Sequence, residues 1–192
     1  MSTDEILAEV EAAAPISTGP DAALETKKFD LISSAAEATI KARNADPAGY
    51  TMQVFPNVAQ AYEAAQESGA SPWVMQSALS AMQVAQEKLG IDEPRLLTKN
   101  QATGAVNTWK DETLGASERL SGLAGMVLQP SDWGQRRMIY GQLLDSGMPP
   151  ETQGVMAAMV RGDVGATQTL IRASLTDPAK LGVKFPTDLA ES

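Results

Sequence analysis

Pro130 to Arg161 reads PSDWGQRRMIYGQLLDSGMPPETQGVMAAMVR, and this stretch decides the fold. Ser131 or Asp132 can accept from the free N–H groups that begin a first helix. Trp133, Ile139, Tyr140, Leu143 and Leu144 then fall on one side of it. Gly147 suits the left-handed residue that closes a helix. Pro149 and Pro150 forbid its continuation and suit the first turn of the next helix. That second helix places Val155, Met156, Met159 and Val160 on its own face. Two apolar stripes joined by so short a turn must pack antiparallel, as a helical hairpin.

Working outward, the same punctuation recurs. Ser71-Pro72 opens a helix to about Leu89, with Met75, Ala78, Leu79, Met82, Ala85 and Leu89 in one apolar sector. Gln76, Ser80, Gln83 and Glu87 are expected on the opposite, wet side. Gly90 ends this helix, and Thr98 with Gln101 has the spacing of a capping box for a helix carrying Val106 and Trp109. Gly115, Gly122 and Gly125 interrupt the segment that follows and weaken a single-helix reading there. Toward the N-terminus, Asp21 can cap a long helix to about Asn44, with Leu24, Leu31, Ile32, Ala35 and Ala36 expected inward. Asp46-Pro47 and Phe55-Pro56 start two shorter elements. Ser2 and Glu5 have capping-box spacing for a first short helix bearing Ile6, Leu7 and Val10, which PISTGP at residues 15–20 separates from the rest. Beyond the central hairpin, Asp163 begins a last helix with Val164, Ile171 and Leu175, stopped at Asp177-Pro178.

The expected architecture is all-α: a multi-helix bundle of short helices and hairpins with extended ends. Its parts are a helix and joint at residues 1–20, a helical domain at 21–178 and a tail at 179–192. Composition agrees. The apolar share is 43% but aromatics make up only 5%, so the core must be built from Ala, Leu, Val, Ile and nine Met. Ala, Leu, Met, Gln and Glu favour helices, and no alternating β-branched run marks a strand.

Charge and chemistry narrow the function classes. With 24 acidic and 15 basic residues the net charge is −9. Binding to nucleic-acid phosphates or to an anionic membrane needs clustered Lys and Arg, which this chain lacks. No apolar run approaches the roughly 20 residues of a membrane span. The chain has no His and no Cys, which removes the usual nucleophile–base pairs and most metal sites. Acidic residues are not spaced as in calcium loops, and no phosphate-binding glycine loop is present. No catalytic residue, cofactor or metal is therefore expected. The pair Glu67-Ser68, with Gly69 and then Met75-Gln76, resembles the general-acid motif of lytic transglycosylases. Here the spacing is compressed and Trp73-Val74 stands in place of Gly-Leu, so Glu67 reads as an ordinary carboxylate at a helix end.

A second set of residues carries a broader likeness. Arg43, Asp46-Pro47-Ala48-Gly49-Tyr50, Pro56 and Val58 are followed by Gln86, Leu89-Gly90-Ile91, Arg95-Leu96-Leu97, Leu144 and Gly147-Met148-Pro149-Pro150. This order resembles a helical segment of very large internal virion proteins of tailed, mostly short-tailed, bacteriophages, across about residues 30 to 175. The resemblance implies a virion-interior or DNA-ejection component, made in the host cytoplasm and contacting other virion proteins and itself. It implies no direct sequence-specific contact with nucleic acid. Family members run far longer than 192 residues. Arg137, Tyr140, Leu143, Gly162-Asp163 and Ile171 are similar to the C-terminal helices of phage scaffolding proteins, the alternative role. A small acidic inhibitor of a host enzyme is a third class, and it would need acidic charge gathered on one face.

An interaction protein needs a contact surface. In the hairpin, Trp133, Arg136, Arg137 and Tyr140 combine aromatic and guanidinium groups of the kind enriched at interfaces. The bland alternative for Arg136 is an ion pair with Asp132 one turn earlier. In the N-terminal helix, Ile6, Leu7 and Val10 have too little around them to be buried alone, and docking on a neighbouring chain is expected.

Overall fold

The computed structural model describes residues 3–15, 21–67, 71–149, 152–161 and 165. Among them every regular element is a helix and there is no strand, as composition requires. In chain order these are α1 (Thr3–Ala12), α2 (Ala22–Ala45), α3 (Pro47–Val54), α4 (Pro56–Gln66), α5 (Pro72–Lys88), α6 (Lys99–Lys110), α7 (Ala116–Leu128), α8 (Trp133–Asp145) and α9 (Gln153–Arg161). Helices α3 to α5 form one group and α6 to α9 another, and both close on a single core. Leu79, Met82, Leu96, Ile139, Leu143, Met156 and Met159 lie at its centre. Methionine thus fills space that aromatics would otherwise occupy.

The punctuation works as the residue chemistry demands. Asp132 accepts from the Gln135 N–H at 2.8 Å and starts α8. Gly147, at φ 89°, ends it. Its N–H reaches the Leu144 carbonyl, while the Met148 N–H reaches that of Leu143, the paired bonds of a Schellman closure. The same closure ends α5 at Gly90, φ 63°, where the Ile91 N–H donates to the Gln86 carbonyl at 3.0 Å. Thr98 and Gln101 form the full capping box of α6. At α3, the Asp46 carboxylate accepts from Gly49 N–H, and a Cβ on Gly49 would meet that carboxylate at 2.4 Å. A side chain at Gly49 would therefore push the capping carboxylate out of place.

Four expectations need correction. Leu24, Leu31, Ile32 and Ala35 are exposed on α2 and Ala36 is half-buried, because α1 covers the other side of this helix. Asp21 makes no side-chain cap there. Residues 116 to 128 form one continuous helix, since Gly122 and Gly125 are accommodated at helical φ with open space around them. The fourth is the wet side of α5. Gln76 and Gln83 are half-buried against α8, where Gln135 donates toward the Gln76 carbonyl, Ser80 Oγ and Gln83 Oε1 at 3.1 to 3.4 Å. The last expected helix, with Asp163, Val164, Ile171 and Leu175, and the tail at 179–192 lie outside the described residues, as does Ser2.

Candidate interaction surfaces

A non-helical strap, residues 89–98, links the two helix groups and turns into the interior at Leu96 and Leu97, which are buried. Buried backbone groups need partners. Two buried glutamines supply them. Gln86 on α5 clamps Arg95, donating to its carbonyl at 2.6 Å and accepting from its N–H at 2.7 Å. Gln142 on α8 accepts from the N–H groups of Leu96 and Leu97 at 2.7 and 3.1 Å and donates to the Leu97 carbonyl at 3.2 Å. Arg43 at the end of α2 is buried and donates to the Leu89 carbonyl at 2.7 Å, satisfying an orphan acceptor at the end of α5.

Beside this strap lies a cavity of about 460 Å³, lined by Arg43, Asp46, Asp92, Glu93, Arg95 and Lys99 among others. Its charges are largely committed to the framework. Asp46 accepts from the N–H groups of Gly49 and Lys99 at 3.0 and 3.1 Å. Arg95 pairs with Asp145 at 2.5 Å and with Glu93 at 3.4 Å. The described residues hold no group of three or more acidic side chains able to bind a metal ion. Glu67 is exposed at the end of α4.

The residues singled out in the hairpin divide between inside and outside. Trp133 is half exposed, at 52%, and the Arg137 guanidinium lies 5.5 Å from its ring centroid. Arg136 turns back instead: its Nε donates to the Pro130 carbonyl at 2.6 Å. The alternative pairing with Asp132 does not form, because that carboxylate is engaged with the Gln135 N–H. Tyr140 is half-buried against the core, and burial pushes its phenol above the ordinary value. A second exposed tryptophan is one that the periodicity did not single out. Trp73, 72% exposed, lies in the first turn of α5, one turn before Gln76, whose side chain meets Ser131 at the entry to α8. Its position just inside Ser71-Pro72, off the apolar sector, was the available signal.

At the N-terminus, α1 lies along α2. The Thr3 hydroxyl accepts from Arg43, and Ile6 and Val10, on the same side as Thr3, are half-buried. Leu7 points away and is 48% exposed. The helix thus covers two of its three apolar side chains on its own chain.

No protein-family model, no curated protein and no solved structure matches this chain. Leu24, Leu31 and Ile32 on α2, with Trp73, Val84 and Trp133 on the body, are large apolar side chains left in water. Such residues scattered singly are ordinary, but aligned along one helix they mark a contact surface.

Proposed function

We propose that this chain is a non-enzymatic structural component of a bacteriophage particle, an internal or ejection protein that acts through helix-mediated contacts. The observation that carries this reading is the exposed apolar stripe of α2, a long helix that covers only one of its sides within its own chain. A second support is the role of the residues that carry the resemblance to internal virion proteins. Arg43, Asp46, Gly49, Gln86, Gly90 and Gly147 hold caps, closures and the strap in place. They specify a helical body and leave its outer faces to other proteins. No helix among the described residues is long and apolar enough to cross a membrane. Its place of work is the particle interior, reached from the host cytoplasm during assembly.

Mass spectrometry of purified mature particles and of their procapsids tests this. The chain is expected in both. Presence in procapsids alone would make it a scaffolding protein, and absence from both would overturn the reading.

A further inference from the structure

We infer that two copies of this chain associate through their N-terminal hairpins, the outer face of α1 in each copy packing on the outer face of α2 in the other. The inference rests on reading the chain as an interaction protein, and it names the partner of that surface as a second copy.

The outer face of α2 has the spacing of a helix seam. Leu24, Leu31 and Ala38 recur every seven residues, with Lys28, Ala35 and Ala42 interleaved, and all six are exposed. Alternating steps of four and three residues are what a second helix packs against. Lys27 and Lys28 supply the charge within this stripe, and both are positive.

The outer face of α1 is its complement. Asp4, Leu7, Ala8 and Glu11 follow the i, i+3, i+4, i+7 pattern, and all are exposed. Here the charge is negative. One apolar side chain, Leu7, sits between the two acids, as Leu24 and Leu31 flank the two lysines. Within one chain these two faces cannot meet, because α1 already lies on the opposite side of α2, tied there by Thr3 and Arg43.

Two hairpins related by a twofold axis can each present α1 to the other's α2. The product is a four-helix bundle, the usual way for helical hairpins to close their remaining apolar faces. Lengths permit it. With a rise of about 1.5 Å per residue, α1 spans about 15 Å and α2 about 36 Å, so α2 offers room for its own α1 and for a partner's. A parallel pairing of α2 on α2 would instead set Lys27 and Lys28 against their own copies.

The test is sedimentation equilibrium of the full chain with paired charge reversals. Wild type is expected to dimerise, more weakly as salt rises. Asp4→Lys with Glu11→Lys, and separately Lys27→Glu with Lys28→Glu, should each lower self-association at least tenfold while circular dichroism stays helical. Mixing the two reversed chains should restore association as a heterodimer, which simple misfolding could not do. A monomeric wild type at 100 μM (a concentration chosen for the experiment, on the order of weak-dimer affinities) would overturn the inference. So would a dimer indifferent to both reversals, or a mixture that stays monomeric. Particle incorporation is read separately: a chain found in particles yet monomeric sinks this inference alone, and a dimer absent from particles sinks the functional proposal alone.

Discussion

Helices α2 and α5 carry apolar stripes that look alike on paper, yet one is covered and the other is not. On α5, Met75, Leu79 and Met82 are wholly buried by helices of the same chain. On α2, Leu24, Leu31 and Ile32 stay in water, Leu31 at 72%. The difference lies in what surrounds each helix. α5 sits between α3 and α4 on one side and α8 on another, whereas α2 meets α1 along one face and, at its C-terminal end, α3 and the Leu89 carbonyl. Amphipathic periodicity therefore says that a face wants a partner, without saying whether the partner belongs to the same molecule.

The sharpest way to break this comparison is to place a carboxylate on each stripe. Met82→Asp buries an unpaired charge, which costs several kcal/mol, of the order of a whole domain's stability, and should unfold the protein. Leu31→Asp should shift stability by only about 0.5 kcal/mol or less. Thermal melts followed by circular dichroism decide it, and equal losses would show that α2 is as enclosed as α5.

A smaller effect separates the strap from the helices around it. Gln142→Leu puts an apolar side chain of similar size in place of the amide and strips partners from the backbone of Leu96 and Leu97. A loss of about 3 kcal/mol is expected in urea titrations, because buried amides left unpaired carry their full desolvation penalty. A loss under 1 kcal/mol would mean that the strap opens to water easily.

The body, which carries the buried tyrosine Tyr62, should also respond to alkali. Burial raises the Tyr62 phenol pKa, and hydrogen bonds to Gln101 and Gln66 oppose that only in part. A raised native pKa gives stability that is fully present below the unfolded value near 10. That stability is lost as pH climbs through the native value. Wild type should therefore weaken above about pH 10, and Tyr62→Phe should flatten the slope. Parallel slopes for the two proteins in stability measurements between pH 8 and 11 would remove Tyr62 as the cause.

The smallest change tests whether α7 is an ordinary helix. Gly125 has helical geometry, is exposed and has open space where a Cβ would sit. Gly125→Ala should stabilise by about 0.5–1 kcal/mol. A destabilised variant in the same urea titration would reveal a contact at that face.

Much of the fold was legible because its helix boundaries are written in residues with few alternatives. Gly147, Gly90, Asp132, Thr98 and the Pro at the start of α3, α4 and α5 each suit a narrow range of backbone geometry, and each marks the boundary its chemistry requires. What stayed hidden was side-chain destination. Glutamine is usually wet, so nothing in the pattern marks Gln142 and Gln86 as buried, and their burial follows from a strap placed by contacts 9 to 46 residues away. The hairpin surface was half legible for the same reason. Trp133 and Arg137 face outward and Arg136 and Tyr140 inward, and the inner positions depend on Pro130 and the core. Trp73 was missed because an isolated tryptophan beside an apolar sector gives periodicity nothing to count.

The glutamine clamps have a consequence for how the molecule opens. Amide hydrogens in an irregular segment normally exchange with solvent through small local fluctuations. Those of Leu96 and Leu97 are held from outside their own segment, by a side chain of α8. Releasing them means drawing α8 away from α5 and from the core beneath it. Two protons in a stretch with no secondary structure should then be among the slowest in the protein to exchange, reporting the opening of the whole body.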